Sequence, residues 1–263
     1  MTHMTGSTTM DDTAVDLHRL GRPIPFRRLL HVEARKLADT RCGSIVASIL
    51  LVLVLASIVG RGVVYGPDLH TLVDTAGIGY GTLLPALGIV SVTGESTHRT
   101  ALTTFALEPR RRRVLAATYL VSSGTAVAAS LFALLVAVPV TGVVASVGDV
   151  PATWEIAPAA LAGWTGTNVL LVVAGLALGT LLMNAPAAIV IWLSAPVLWS
   201  AVSRLGAVGE AAAEWCDLNR TTAPLAAGEM SGDDAARLAV AVICWIVVPT
   251  TAGAARLIRK DVN

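Results

Sequence analysis

Long uncharged apolar runs alternate with short polar ones along nearly the whole chain. The apolar stretches cover 42–60, 75–94, 114–148, 156–202 and 238–255. A helix needs about 20 mostly apolar residues to cross the hydrocarbon core of a bilayer. The stretch 156–202 is long enough for two helices, so the pattern predicts six spans. The division falls at Met183-Asn184-Ala185-Pro186. There Asn184 can cap a new helix, and Pro186 sits in the first turn, where its missing N–H is harmless. Pro139 and Gly142 put the end of the third helix near 139, with 140–148 as an outer loop. The expected spans are about 43–62, 75–93, 114–139, 157–182, 186–202 and 237–257.

Charge gives this ladder a direction. Fifteen of the 19 Lys and Arg residues lie in three places: the first 41 residues, the segment between spans two and three, and the C-terminal tail. The other side receives only Arg61, Arg204, Arg220 and Arg237. Basic residues stay on the cytoplasmic side of a membrane, so both termini and the segment 95–113 are expected in the cytoplasm. The composition agrees with lipid as solvent. Hydrophobic residues make up 54% of the chain and charged ones 14%, against about 25% in an average globular domain. The preference for Arg over Lys, with many Ala and Val, points to a GC-rich bacterial genome and hence a bacterial plasma membrane. No short apolar leader with a cleavage site precedes the first span, which is expected to remain as an anchor. The fold class is therefore an all-α, multi-pass integral membrane protein.

The polar segments carry what remains. Residues 1–24 read as a disordered cytoplasmic N-terminus and 258–263 as a cytoplasmic tail, on either side of a membrane domain at 42–257. Residues 25–41 read as an amphipathic helix lying on the membrane surface. At 100° per residue, Phe26, Leu29, Leu30, Ala34 and Leu37 share one arc, and Arg28 and Arg35 lie opposite. Glu33 projects onto the apolar arc. Two outcomes are open for it: a partner inside the protein, or a route to water or to Lys36 one turn on. The outer loop 203–236 mixes Trp215, Leu218, Pro224, Leu225 and Met230 with six acids, a pattern that fits short interfacial or re-entrant helices.

Several chemistries are not supported. There is no phosphate-cradling G-x-x-x-x-G-K-[ST] loop, so neither nucleotide hydrolysis nor any other enzyme activity is expected. The five histidines and three cysteines are scattered, so no metal site or cofactor is expected. Nothing points to nucleic acid. The middles of the spans hold no ionisable residue, which argues against a proton-coupled carrier. Gly77, Gly79 and Gly81 within span two read as close helix packing. Gly175 and Gly179 mark either a packing face or a dimer face. Ser122, Ser123, Trp164, Asn168, Trp192 and Ser200 are the polar or aromatic groups available to a pathway, with interhelical packing as their plainer role.

The segment between spans two and three stands out. Ser96 can cap a helix over 97–107, in which Ala101, Leu102, Phe105 and Ala106 share an arc before Pro109 stops it. Arg110 to Arg113 then anchor the next span at anionic headgroups. A topology-setting loop and a docking element for a soluble partner both fit these residues.

Two motifs bring a family into view. The run Arg27-Arg28-Leu29-Leu30-His31-Val32-Glu33-Ala34-Arg35-Lys36-Leu37 resembles the entry helix of bacterial ABC-2 type transporter permeases. The run Glu95-Ser96-Thr97-His98-Arg99-Thr100-Ala101-Leu102-Thr103-Thr104-Phe105, with Glu108-Pro109-Arg110-Arg111, is similar to their cytoplasmic segment in an actinobacterial style. Ser96 departs from the bulkier residue expected there. The resemblance implies a permease subunit that pairs with a second copy or a related permease, and with two cytosolic ABC ATPase subunits. It implies that the segment 95–113 is a coupling helix, with Glu95, Arg99, Ala101, Leu102, Phe105, Glu108 and Arg110 against the ATPase. It also implies that Phe26, Arg28, Leu30, Glu33, Lys36 and Leu37 form the interfacial helix against lipid. ATP-driven export of a substrate follows from that reading. The alternative is a membrane anchor or immunity-type protein that keeps the fold without transport.

Overall fold

The computed structural model describes residues 25–39, 41–97 and 111–259. They form ten α-helices and one π turn. The helices are α1 (Phe26–Asp39), α2 (Arg41–Tyr65), α3 (Leu69–Thr97), α4 (Arg111–Gly148), α5 (Pro158–Leu182), α6 (Ala185–Val202), α7 (Ala207–Cys216), α8 (Leu218–Ala227), α9 (Gly232–Val242) and α10 (Val248–Arg259). The π turn, Ile243–Val247, joins α9 to α10 in one rod. Six helices are long and apolar enough to cross a membrane: α2 to α6 and this last rod. Among the described residues there are no strands, only one isolated bridge from Asp68 to Thr153. The architecture is that of a multi-pass membrane protein. Its basic end gathers α1, the start of α4 and the close of α10. The opposite end, the far end, holds the first turns of α3 and α5.

Small residues decide the packing. Lipid is as apolar as leucine, so helices associate through close contact rather than through exclusion of water. The most intimate pair is α3 with α5. A methyl at Gly175 would overlap the Pro85 carbonyl, and one at Gly88 would come within 2.6 Å of the Val172 carbonyl. The G-x-x-x-G face of α5 is thus occupied by α3 of the same chain. Around this seam Leu72, Ala76, Leu84 and Leu176 are fully buried, joined by Val54 and Ile58 of α2. On the outer faces of α2, α4 and α6, residues such as Val52, Leu131, Leu135 and Val197 are exposed. They turn outward, as lipid-facing side chains do.

Prolines inside the helices create needs that the tertiary structure meets. Pro85 has no N–H to offer the Gly81 carbonyl four residues back. The indole Nε1 of Trp192, on α6, donates to that oxygen at 3.1 Å. Pro249 likewise cannot bond the Trp245 carbonyl, and its ring crowds that oxygen. The π turn lies just before it, with Val248 N–H donating to the Ile243 carbonyl five residues back.

The break at 183–186 follows the sequence closely. Met183 closes α5 in the left-handed conformation at φ 51°, and Asn184 caps α6 by accepting the Ala187 N–H at 3.1 Å. Other boundaries move. The third span does not end near Pro139; α4 runs on to Gly148. Val140 and Val144 pack on Gly62 of α2, and Thr141 Oγ1 bonds the Ala137 carbonyl at 2.8 Å. Packing on a neighbouring helix holds a helix together across one missing hydrogen bond. The second span starts earlier than expected, at Leu69, because His70 and Asp74 sit in its projecting first turns, 3.9 Å apart, without breaking it. The sixth starts at Gly232, where Ser231 and Asp234 form a reciprocal capping box.

Candidate functional site

Two corners of the molecule carry polar chemistry, one at each end. At the basic end α1 lies against the root of α4. Leu29 packs with Val114 and Ala117 in a small core of its own, with Leu30 beside it. Glu33 is buried at 6% exposure, as the apolar arc required. It takes both of the outcomes left open for it. Lys36 Nζ donates to one carboxylate oxygen at 2.7 Å, and Thr118 Oγ1 of α4 donates to the other at 3.1 Å. Lys36 keeps about a third of its side chain exposed, so its head reaches the edge while Glu33 stays inside. Leu30 and Leu37 are half-buried, whereas Phe26, Arg28 and Ala34 are exposed. The face turned to the protein is therefore centred on Glu33 rather than on the middle of the apolar arc.

The ends of the segment 95–113 belong to the flanking helices. Glu95 continues the backbone of α3, and α4 begins at Arg111. Arg99, Ala101, Leu102, Phe105, Glu108 and Arg110 lie outside the described residues.

Within the spans, most of the candidate pathway groups serve packing. Asn168 is 2% exposed and donates to Ser130 Oγ at 3.0 Å. The Trp164 ring leans on Tyr80 with centroids 5.7 Å apart, and the Tyr80 hydroxyl donates to the Ala129 carbonyl at 2.5 Å. Trp192 is committed to Gly81. Ser122 differs, because its hydroxyl is buried with no hydrogen-bond partner. Ser200 is exposed on α6.

At the far end, 203–236 forms short helices, as its mixture of acids and large apolar side chains suggested. From Ser203 the chain forms α7, turns at Asp217 and returns as α8 along α5. Thr167 Oγ1 donates to the Thr222 carbonyl at 3.5 Å. A methyl at Gly163 would overlap the Leu225 carbonyl. Gly228, at φ +74°, turns away against Ala160. Leu218 reaches the core that holds Leu171, Ala174 and Trp192. Leu171 is 13 residues into α5, about 20 Å along its axis from the far end. The hairpin therefore enters to near mid-depth, and Trp245 of the π turn pins its tip by donating to the Cys216 carbonyl at 2.8 Å.

The hairpin's charges pair with one another and with the first turns of the last span, all of them part-exposed. Arg220 pairs with Glu210 at 2.7 Å and Glu214 at 3.8 Å, and Arg237 pairs with Glu214 at 3.8 Å and Asp234 at 4.0 Å. Glu214, Arg220, Glu229, Asp234 and Arg237 line a hollow of ≈ 530 Å³ between the hairpin and the start of the last span. A scan of the spans alone misses these residues. The signal for them was the mixture of acids and large apolar side chains at 203–236. Among the described residues no group of three or more His, Cys, Asp or Glu could hold a metal ion. Comparison of the chain with protein-family models, with curated proteins and with solved structures finds no match to any of the three.

Proposed function

We propose that the chain is the membrane-spanning subunit of an ATP-driven exporter of the ABC-2 type. Its energy would come from two separate cytosolic ATPase subunits, and a second copy or a related permease would complete the pathway. The basic end is taken as cytoplasmic and the membrane as the bacterial plasma membrane. The observation that carries the reading is the corner at α1. Glu33 ties the entry helix to Thr118, just after the point where the chain returns from 98–110 into α4. A push on that segment would thus reach α1 and the root of α4 together. An exporter driven from outside its own chain needs such a rigid input point, because the middles of its spans carry no Asp, Glu, Lys, Arg or His to relay a proton. The segment 95–113 is proposed as the coupling helix and α1 as the interfacial helix.

The test is reconstitution with an ABC ATPase encoded beside this chain. Phe105 is the largest apolar side chain of the segment, and buried aromatic anchors typically cost about 2 kcal/mol or more when truncated. Phe105→Ala is expected to weaken ATPase capture roughly thirtyfold and to abolish stimulation of ATP turnover, with insertion unchanged. Equal capture and turnover in the variant would make 98–110 a topology loop.

A further inference from the structure

Three of the chain's six tryptophans meet in one place. Trp192 and Trp199 lie seven residues apart on α6, hence on one face, and Trp245 comes from the π turn. With Thr82, Asp217 and Asn219 they line a partly enclosed hollow of ≈ 60 Å³. The rings of Trp192 and Trp245 stand edge to face, centroids 6.0 Å apart and planes at 81°. Both of their N–H groups are already committed, to the Gly81 and Cys216 carbonyls. Indole has a single donor, so these two rings are fixed in place and have only π surface left to offer.

Asp217 supplies the charge. It is half-buried at the hairpin tip, where one carboxylate oxygen accepts the Asn219 N–H at 3.0 Å. Among the described residues no cation lies within ion-pair distance of it; Arg220 is held by Glu210 and Glu214 and attracts Asp217 only from farther away. A carboxylate among indole rings at this depth favours a cation, and a single carboxylate amid mostly aromatic and apolar groups suits an organic cation better than a metal ion, which takes six or more oxygens. Aromatic faces attract cations that shed water easily, and quaternary ammonium groups are the leading example. At ≈ 60 Å³ the hollow is several times the roughly 10–15 Å³ that a single water needs, so it has room for more than solvent.

We propose that this pocket binds a quaternary-ammonium head, with Trp192, Trp199 and Trp245 facing its methyl groups and Asp217 neutralising its charge. The site does not depend on an ATPase partner or on transport.

The experiment uses the full chain in phosphatidylglycerol nanodiscs, with choline as the probe and 3,3-dimethyl-1-butanol as its uncharged isostere. Indole fluorescence and calorimetry report binding. Choline is expected to bind saturably and about tenfold or more tighter than the isostere. Asp217→Asn removes the charge but keeps an oxygen for the cap, so folding is held while choline affinity falls about tenfold. Trp199→Leu, in which the altered ring makes no hydrogen bond to the backbone, should weaken choline to a similar degree. Equal binding of the two isosteres, or an Asp217→Asn variant with wild-type affinity, overturns the proposal. Repeating the titration with phosphatidylcholine in the discs separates the sources of the cation. Competition names lipid heads as the occupant, and its absence names a soluble cation; the shared chemistry stands in either case.

Discussion

Glu33 shows how one misplaced charge can specify a contact. A carboxylate on the buried face of α1 is costly unless paired, and its two oxygens are taken by Lys36 on its own helix and Thr118 on α4. Thr118 also bonds the Val114 carbonyl at 3.1 Å, so its hydroxyl keeps a partner when Glu33 is removed. Glu33→Ala should therefore remove one pair and one hydrogen bond without orphaning the threonine. The expected loss is about 1–3 kcal/mol, at the lower end because Lys36 is a third exposed. Limited proteolysis in detergent, with melting followed in parallel, checks this: α1 should be cut earlier while α3 and α5 stay protected. Helical projection alone marked Glu33 as a residue in need of a partner. Thr118 could not be read the same way, because 85 residues separate the two and only the docking of α1 on α4 joins them.

At the scale of elements, spans were legible where length and apolarity alone decide, and breaks were legible where capping chemistry is local, as at Asn184. What sequence pattern could not supply was depth. Nothing in 203–236 says that Leu218 will sit among Leu171 and Trp192, because that depends on Gly163 letting the hairpin backbone approach α5. Nor does Pro139 announce that α4 continues, since Val140 and Val144 find their contact on Gly62 of α2. The tip of the hairpin hangs on one donor, the Trp245 indole. Trp245→Phe keeps most of the ring and removes that donor, at a cost of about 1 kcal/mol. Hydrogen exchange should then accelerate at 217–221 by about fivefold and stay unchanged at 171–178. Uniform acceleration across both segments would mean that Trp245 acts through general packing instead.

For the whole molecule, the separation of basic residues to one end has a direct consequence for orientation. In a Cys-free background, an impermeant maleimide applied to intact cells should label Asp68→Cys and Asp149→Cys and spare His98→Cys; labelling at position 98 would invert the orientation proposed here. The contact between α3 and α6 sets a second global property, the order of synthesis. Pro85 leaves the Gly81 carbonyl open, and the group that closes it lies 111 residues downstream on Trp192. At about 5–20 residues per second, the second span waits roughly 5–20 s in the membrane with an unanswered acceptor. During that interval the nascent chain is a client for whatever insertion factor or protease inspects half-built bundles. Trp192→Phe would extend the wait indefinitely. In pulse–chase experiments this variant should be degraded faster from the moment of release, even where the small surviving fraction melts close to wild type.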